Sequence, residues 1–196
     1  MTLPKAIICS LDGTLSDHRH RLHFVKKPFI DSIYGNLWID GGPDWEAFYA
    51  AMDKDKVNEA VDLIASAAFW YNCSNDNDPD MIFITGRPER YRDQTEKWLA
   101  QPALKWAIEP EHGVKLFMRP DFLINCEGHF LASDAVKCPK CSDETPDHRP
   151  SHVVKKEIFE REIAGKYDIL FALESCDDAI EMYRGLGITC LKVCLP

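Results

Sequence analysis

The chain has no hydrophobic run approaching the roughly 20 apolar residues that a membrane-spanning helix needs. Its start lacks the basic residues and long apolar block of a secretion signal. A cytoplasmic protein with no membrane partner is therefore expected. No Gly-x₄-Gly-Lys-Ser/Thr loop is present, which excludes a P-loop kinase within these residues. Positive charge is also scarce. Lys and Arg number 23 against 32 Asp and Glu, a formal net charge of −9. A generic nucleic-acid coat is disfavoured, because counterion release needs clustered cations. An enzyme gripping one nucleotide or one strand end with a local basic patch remains compatible with that balance. No internal repeat is visible.

What is present suits one globular domain. At 196 residues with 45% hydrophobic content, the chain can bury a substantial core, with room for a small cap or insertion. Apolar runs alternate with helical patterns. Strands are expected at 6–10, 81–84, 115–118, 167–173 and 188–193. Helices are expected at 44–52, with Asp44 as N-cap, and at 56–70, 88–99, 153–163 and 177–185. Such alternation predicts an α/β fold, a parallel sheet with helices on both faces. Two stretches break the pattern. Residues 16–43 are rich in His, Arg and aromatics. Residues 121–148 hold Cys126, His129, Cys138 and Cys141 with little periodicity.

Polar groups cluster where strands end: Ser10 and Asp12 after the first, Thr85, Gly86 and Arg87 after the second, Glu174 after the fourth. Lys155 falls near a helix start. In a parallel sheet these ends share one edge, the usual ligand-binding edge of open α/β folds. Acids, a hydroxyl and a cation there suit phosphoryl transfer, which depends on positioning and charge neutralisation. The bland alternatives are a turn at Asp12-Gly13-Thr14, a helix-adjacent surface ion pair for Arg87 and a solvated face for Lys155.

Three stretches carry a resemblance. They are Asp12-Gly-Thr-Leu with His20-Arg-Leu-His23; Thr85-Gly-Arg-Pro-Glu-Arg-Tyr-Arg92; and Leu116-Phe-Met-Arg-Pro120, continued as Arg149-Pro150 and Val154-Lys-Lys-Glu-Ile158. Together they resemble the haloacid dehalogenase (HAD) hydrolase superfamily, and most of all the 3′-phosphatase domain of phage-type polynucleotide kinases. The resemblance implies a Rossmann-like HAD fold, a cap at 16–43, and hydrolysis of a phosphomonoester on a nucleotide or nucleic-acid 3′ end. It makes Asp12 the general acid/base, with its carbonyl on Mg²⁺. Thr85 would hold the phosphoryl group and Lys155 neutralise it. Arg21, Gly86, Arg87 and Arg119 would contact substrate, and Glu174 and Asp178 would complete the Mg²⁺ site. For Asp178, helix capping is an equal reading.

Two positions depart from that pattern. The superfamily's nucleophilic Asp is Ser10 here, and the usual pair of Asp after the fourth strand is Glu174-Ser175. A serine hydroxyl is not ionised near neutral pH and is a weaker ligand for a hard cation. Ser10 is either an introduced block or a natural loss. The chain as written is expected to hydrolyse phosphomonoesters very slowly or not at all. The alternative to a phosphatase is a non-catalytic or regulatory HAD-fold binder of nucleotide or nucleic acid.

Eight cysteines in a cytoplasmic chain read as thiols or metal ligands rather than disulfides. Cys126-x₂-His129 and Cys138-x₂-Cys141 have the pairing of a structural Zn²⁺ site, with His148 a rival ligand. Residues 121–148 would then be a zinc-bound insertion able to contact a protein partner. Cys9, Cys190 and Cys194 read as core strand residues.

Overall fold

The computed structural model describes residues 3–195 apart from 27–28, 33–34, 39–41, 74–78, 108–114, 127–128, 132–144 and 148. Its centre is a five-stranded parallel sheet of β1 (Lys5–Cys9), β6 (Asp80–Pro88), β7 (Lys115–Arg119), β11 (Asp168–Glu174) and β12 (Cys190–Lys192). The order is β12-β11-β1-β6-β7, so β1 lies in the middle. Alternate residues of each strand serve opposite faces. Ile7, Cys9, Met81, Phe83 and Leu116 pack against α2 (Glu59–Cys73) and α3 (Arg92–Leu99) through Val61, Ala65, Trp98 and Leu99. Ala6, Ile8, Ile82 and Ile84 pack against α4 (Ser151–Ile158) and α5 (Asp177–Gly185) through Val154, Ile158, Ile180 and Tyr183. Burial on both faces explains why the central strands read as continuous apolar runs.

The remaining elements are small. β2 (Ser16–Asp17) pairs antiparallel with β5 (Lys56–Val57), and β3 (Phe29–Ser32) with β4 (Gly35–Trp38). α1 (Trp45–Ala50) starts at Asp44, whose carboxylate accepts from Ala47 N–H at 2.9 Å, as expected for its N-cap. β8 (Phe122–Cys126) pairs antiparallel with β9 (His129–Leu131) and β10 (Thr145–Pro146). Among the described residues, no helix is long and apolar enough to cross a membrane.

Several boundaries differ from expectation. Lys56–Val57 is strand rather than helix, because it pairs with Ser16–Asp17, and α2 begins only at Glu59. Pro88 is extended (φ −62°, ψ 148°) and opposite Arg119, so β6 absorbs Thr85-Gly86-Arg87 and α3 starts four residues later. The last strand shortens to Cys190–Lys192, leaving Cys194 exposed rather than in the core. Cys9 and Cys190 are buried as expected. α4 continues as a π-helical turn over Phe159–Ile163.

The loop after β1 is tightly folded. Ser10 N–H donates to Leu173 O at 3.0 Å, tying it to β11. Thr14 N–H and Ser16 N–H both return to Leu11 O, at 3.0 and 2.9 Å. Gly13 sits inside this turn at φ +77°, where an added Cβ would lie 2.7 Å from Ser175 Oγ and 2.9 Å from a His18 ring carbon. Gly13→Ala is therefore expected to lose at least about 1–2 kcal/mol, the left-handed backbone penalty alone. Urea denaturation would measure it, and an unchanged midpoint would contradict this account of the loop.

Candidate active site

The C-terminal ends of β1, β6 and β11 open into a cavity of about 610 Å³. Ser10, Asp12, Thr85, Gly86, Arg119, Lys155 and Glu174 all line it. They come from four sheet strands or the loops beyond them and from α4. Convergence at one edge follows from the parallel topology. The opposite wall is apolar and aromatic, from Leu22, Val25, Trp45, Phe48 and Tyr49.

The floor is organised around one buried cation. Lys155 is 3% exposed and Glu174 1%. Lys155 Nζ donates to Ser10 Oγ at 2.9 Å and to Glu174 Oε2. The other Glu174 oxygen accepts from the backbone N–H groups of Ser175 and Cys176, at 2.9 and 3.1 Å. Ser175 Oγ donates to the carbonyl of Asp12 at 3.3 Å. The Glu174 carboxylate raises the proton affinity of neighbouring Cys190, whose thiol is pushed up to about 11, first by burial and then by that charge.

Beside the floor lies a second charged cluster, which reaches the cavity through Asp12. Asp12 accepts from Arg87 Nη2 at 2.6 Å, from Arg87 Nε at 3.1 Å, and from Arg21. Arg21 and Arg87 also reach Asp55, at 2.6 and 3.2 Å, and Ser16 Oγ donates to the same carboxylate. Both arginines are fully buried. Arg21 lies 4.0 Å over the Phe48 ring. Burial pushes the Asp12 carboxyl up, but the charges of Arg87 and Arg21 outweigh it and hold it well below the usual carboxylate range. Asp12 is thus an ionised acceptor at neutral pH.

The structure separates the sequence-derived candidates. Arg21 and Arg87, expected to face substrate, point instead at Asp12 and Asp55. Arg87 is an ion pair, as the bland reading had it, but a buried one. Arg119 does reach the cavity, donating to Gly86 O at 3.0 Å and Arg149 O at 2.7 Å. Thr85 Oγ1 accepts from Arg87 N–H at 3.2 Å. Asp178 is exposed in the first turn of α5, 3.7 Å from His152, and is not among the cavity residues. Asp55, Tyr49, Arg149 and Ser151 went unnoticed in the sequence. Asp55 has no motif around it. Arg149 did sit within a quoted motif, and Ser151 precedes Lys155 by one helical turn.

The zinc expectation falls largely beyond what is described. Cys138 and Cys141 lie outside the described residues. For Cys126 and His129 only the backbone is given, and it places them opposite one another in the β8–β9 hairpin. Among the described residues, no group of three or more His, Cys, Asp and Glu is arranged to hold a metal.

The chain is similar to known proteins. A family model described as the polynucleotide kinase PNKP phosphatase domain matches residues 123–195. A solved Pnkp1/Rnl/Hen1 complex matches with 27% identity and a TM-score of 0.58, over 98% of this chain and 47% of that one. A second, a Pnkp1/Rnl/Hen1 RNA repair complex, matches with 26% identity and a TM-score of 0.58, over 97% of this chain and 42% of that one. The chain is similar in fold to these Pnkp1 complexes, and its residues 123–195 are similar to a HAD-type polynucleotide kinase phosphatase domain. It spans less than half the length of the chains it matches.

HAD phosphatases generally use Mg²⁺. The donors at the corresponding place here fit that ion poorly. A hard cation takes six or more oxygens. Ser10 supplies a neutral hydroxyl, Glu174 is engaged at both oxygens, and the Asp12 carbonyl already accepts from Ser175.

The Asp12 cluster makes a stability prediction. Removing one partner of a buried pair is expected to lose about 3–5 kcal/mol. Asp12→Asn should lose stability of that order at pH 7. A carboxyl with a depressed folded-state pKa stabilises fully above its unfolded value, near 4, and that stability is lost as pH falls toward the folded value. The gap between parent and variant should therefore narrow only below about pH 4. Denaturant titrations across pH would measure it, and an equal midpoint at pH 7 would contradict the pairing.

Proposed function

We propose that the chain recognises the phosphomonoester at the 3′ end of a nucleotide or nucleic acid, in a phosphatase-type pocket whose hydrolytic step is blocked at Ser10. The observation that carries this reading is the Lys155 contact. Lys155 Nζ donates to Ser10 Oγ at 2.9 Å, so the hydroxyl sits beside a cation with no base to ionise it. The ionised state of Asp12 supports the same conclusion. A group held as carboxylate by two arginines has no proton to give a leaving oxygen.

The cavity suits a nucleotide. Trp45, 48% exposed, lies against Tyr49 with ring centroids 6.0 Å apart and planes 27° apart. Such a face is where a base can stack. Arg90, Arg119 and Arg149 line the same cavity, held in place by ion pairs with Asp121 and Asp147, and offer guanidinium groups to a phosphate backbone. The related RNA repair complex supports a nucleic-acid end as ligand, with RNA the first to test. A working phosphatase is the second reading, favoured by the retention of Asp12, Thr85 and Lys155 together at the cavity.

A phosphate-release assay separates the two. With a 3′-phosphorylated oligoribonucleotide and Mg²⁺, release should stay at background. Turnover near the roughly 10 s⁻¹ typical of enzymes would overturn the proposal. Trp45→Ala should weaken oligonucleotide binding by about 1–3 kcal/mol, the usual worth of one stacked base. Calorimetry would show it, and an unchanged affinity would remove Trp45 from the base site.

A further inference from the structure

We propose that this pocket holds its phosphate without a divalent cation, the Lys155 ammonium supplying the positive charge and Ser10 a hydrogen-bond donor. The inference rests on the phosphate-recognition reading above and adds the means of recognition.

Counting protons at the floor leads to it. An ammonium has three N–H bonds, and Lys155 directs two of them at Ser10 and Glu174. The third has no partner among the described residues. Ser10 Oγ accepts from Lys155, so its own hydroxyl proton is directed elsewhere. Thr85 Oγ1 accepts from Arg87 N–H, and its proton is likewise available. All three residues line one cavity. An ammonium and two hydroxyls are donors matched to a tetrahedral oxyanion, whose oxygens only accept.

A carboxylate at position 10 would reverse this. It would present only acceptors and a full negative charge to an incoming phosphate. It would then need a cation between the two. A second carboxylate at 175 would add another negative charge, and a divalent ion would offset the pair. With hydroxyls at both positions, neither charge exists to be offset. Among the described residues Glu174 is the one carboxylate paired with Lys155. Ser175 meanwhile donates to the Asp12 carbonyl, satisfying an oxygen that a metal would otherwise take. The first turn of α4, with Pro150 and Ser151 on the cavity wall, adds the positive end of a helix dipole.

The test is fluorescence anisotropy with paired oligoribonucleotides, one ending in a 3′-phosphate and one in a 3′-hydroxyl, in EDTA and in Mg²⁺. The unmodified chain should prefer the 3′-phosphate by about tenfold or more in EDTA, and Mg²⁺ should change that preference by less than about threefold. Ser10→Asp should lose the preference in EDTA and regain it in Mg²⁺. Ser10→Ala, which removes the donor without adding charge, should weaken the preference equally in both buffers, and guards against misfolding of the Asp variant. A preference seen only in Mg²⁺ would overturn the metal-free site while leaving phosphate recognition intact. No preference in either buffer would overturn both. A folded Ser10→Asp that behaves like the parent in EDTA would also overturn it.

Discussion

The buried contact of Lys155 with Ser10 and Glu174 organises the whole site. It joins β1, α4 and β11 across 145 and 19 residues of chain. Lys155 is nearly inaccessible, and an ammonium is buried only when paired. Glu174 supplies the pairing, and its second oxygen is fixed by two backbone N–H groups at the start of α5. The contact therefore holds β1, α4 and β11 together at the cavity floor. The phosphatase-like geometry thus survives without the carboxylate at position 10, since a cation and an acid still brace it from within.

A second set of charges meets the cavity through Asp12 and has a different task. Arg21 and Arg87 with Asp12 and Asp55 form a buried group of two cations and two anions. Such groups contribute little net stability but are costly to break. Their effect here is to fix Asp12 as an acceptor and to anchor the segment between β1 and α2 onto the sheet. Both arginines are committed to that frame. Of the arginines expected to face substrate, Arg119 is the one that lines the cavity, and it donates to the carbonyls of Gly86 and Arg149.

Much of this was legible in the sequence because of topology. Parallel strands end at one edge, so polar residues following apolar runs must meet there, and Ser10, Asp12, Thr85, Lys155 and Glu174 do. Side-chain direction was not legible. Arg87 follows Thr85 in a motif that resembles a substrate-binding one, yet its guanidinium turns inward, because Asp12 and Asp55 are there to receive it. Asp55 itself carries no local signal; its partners lie 32 to 39 residues away. Asp178 shows the limit of spacing: at the start of α5 both it and Asp177 point into solvent. Pro88 misled the boundary of α3 because its fixed φ serves an extended strand as well as a first helical turn.

The central claim is that phosphate recognition persists at a floor made of Lys155, Ser10 and Thr85. The most direct measurement is a crystal of the chain soaked with tungstate in EDTA, using the anomalous signal of the metal atom to locate the oxyanion. The account predicts a peak within hydrogen-bonding reach of Lys155 Nζ and the Ser10 and Thr85 hydroxyls. A peak only at the arginines of the cavity mouth, or none at the floor until Mg²⁺ is supplied, would contradict it.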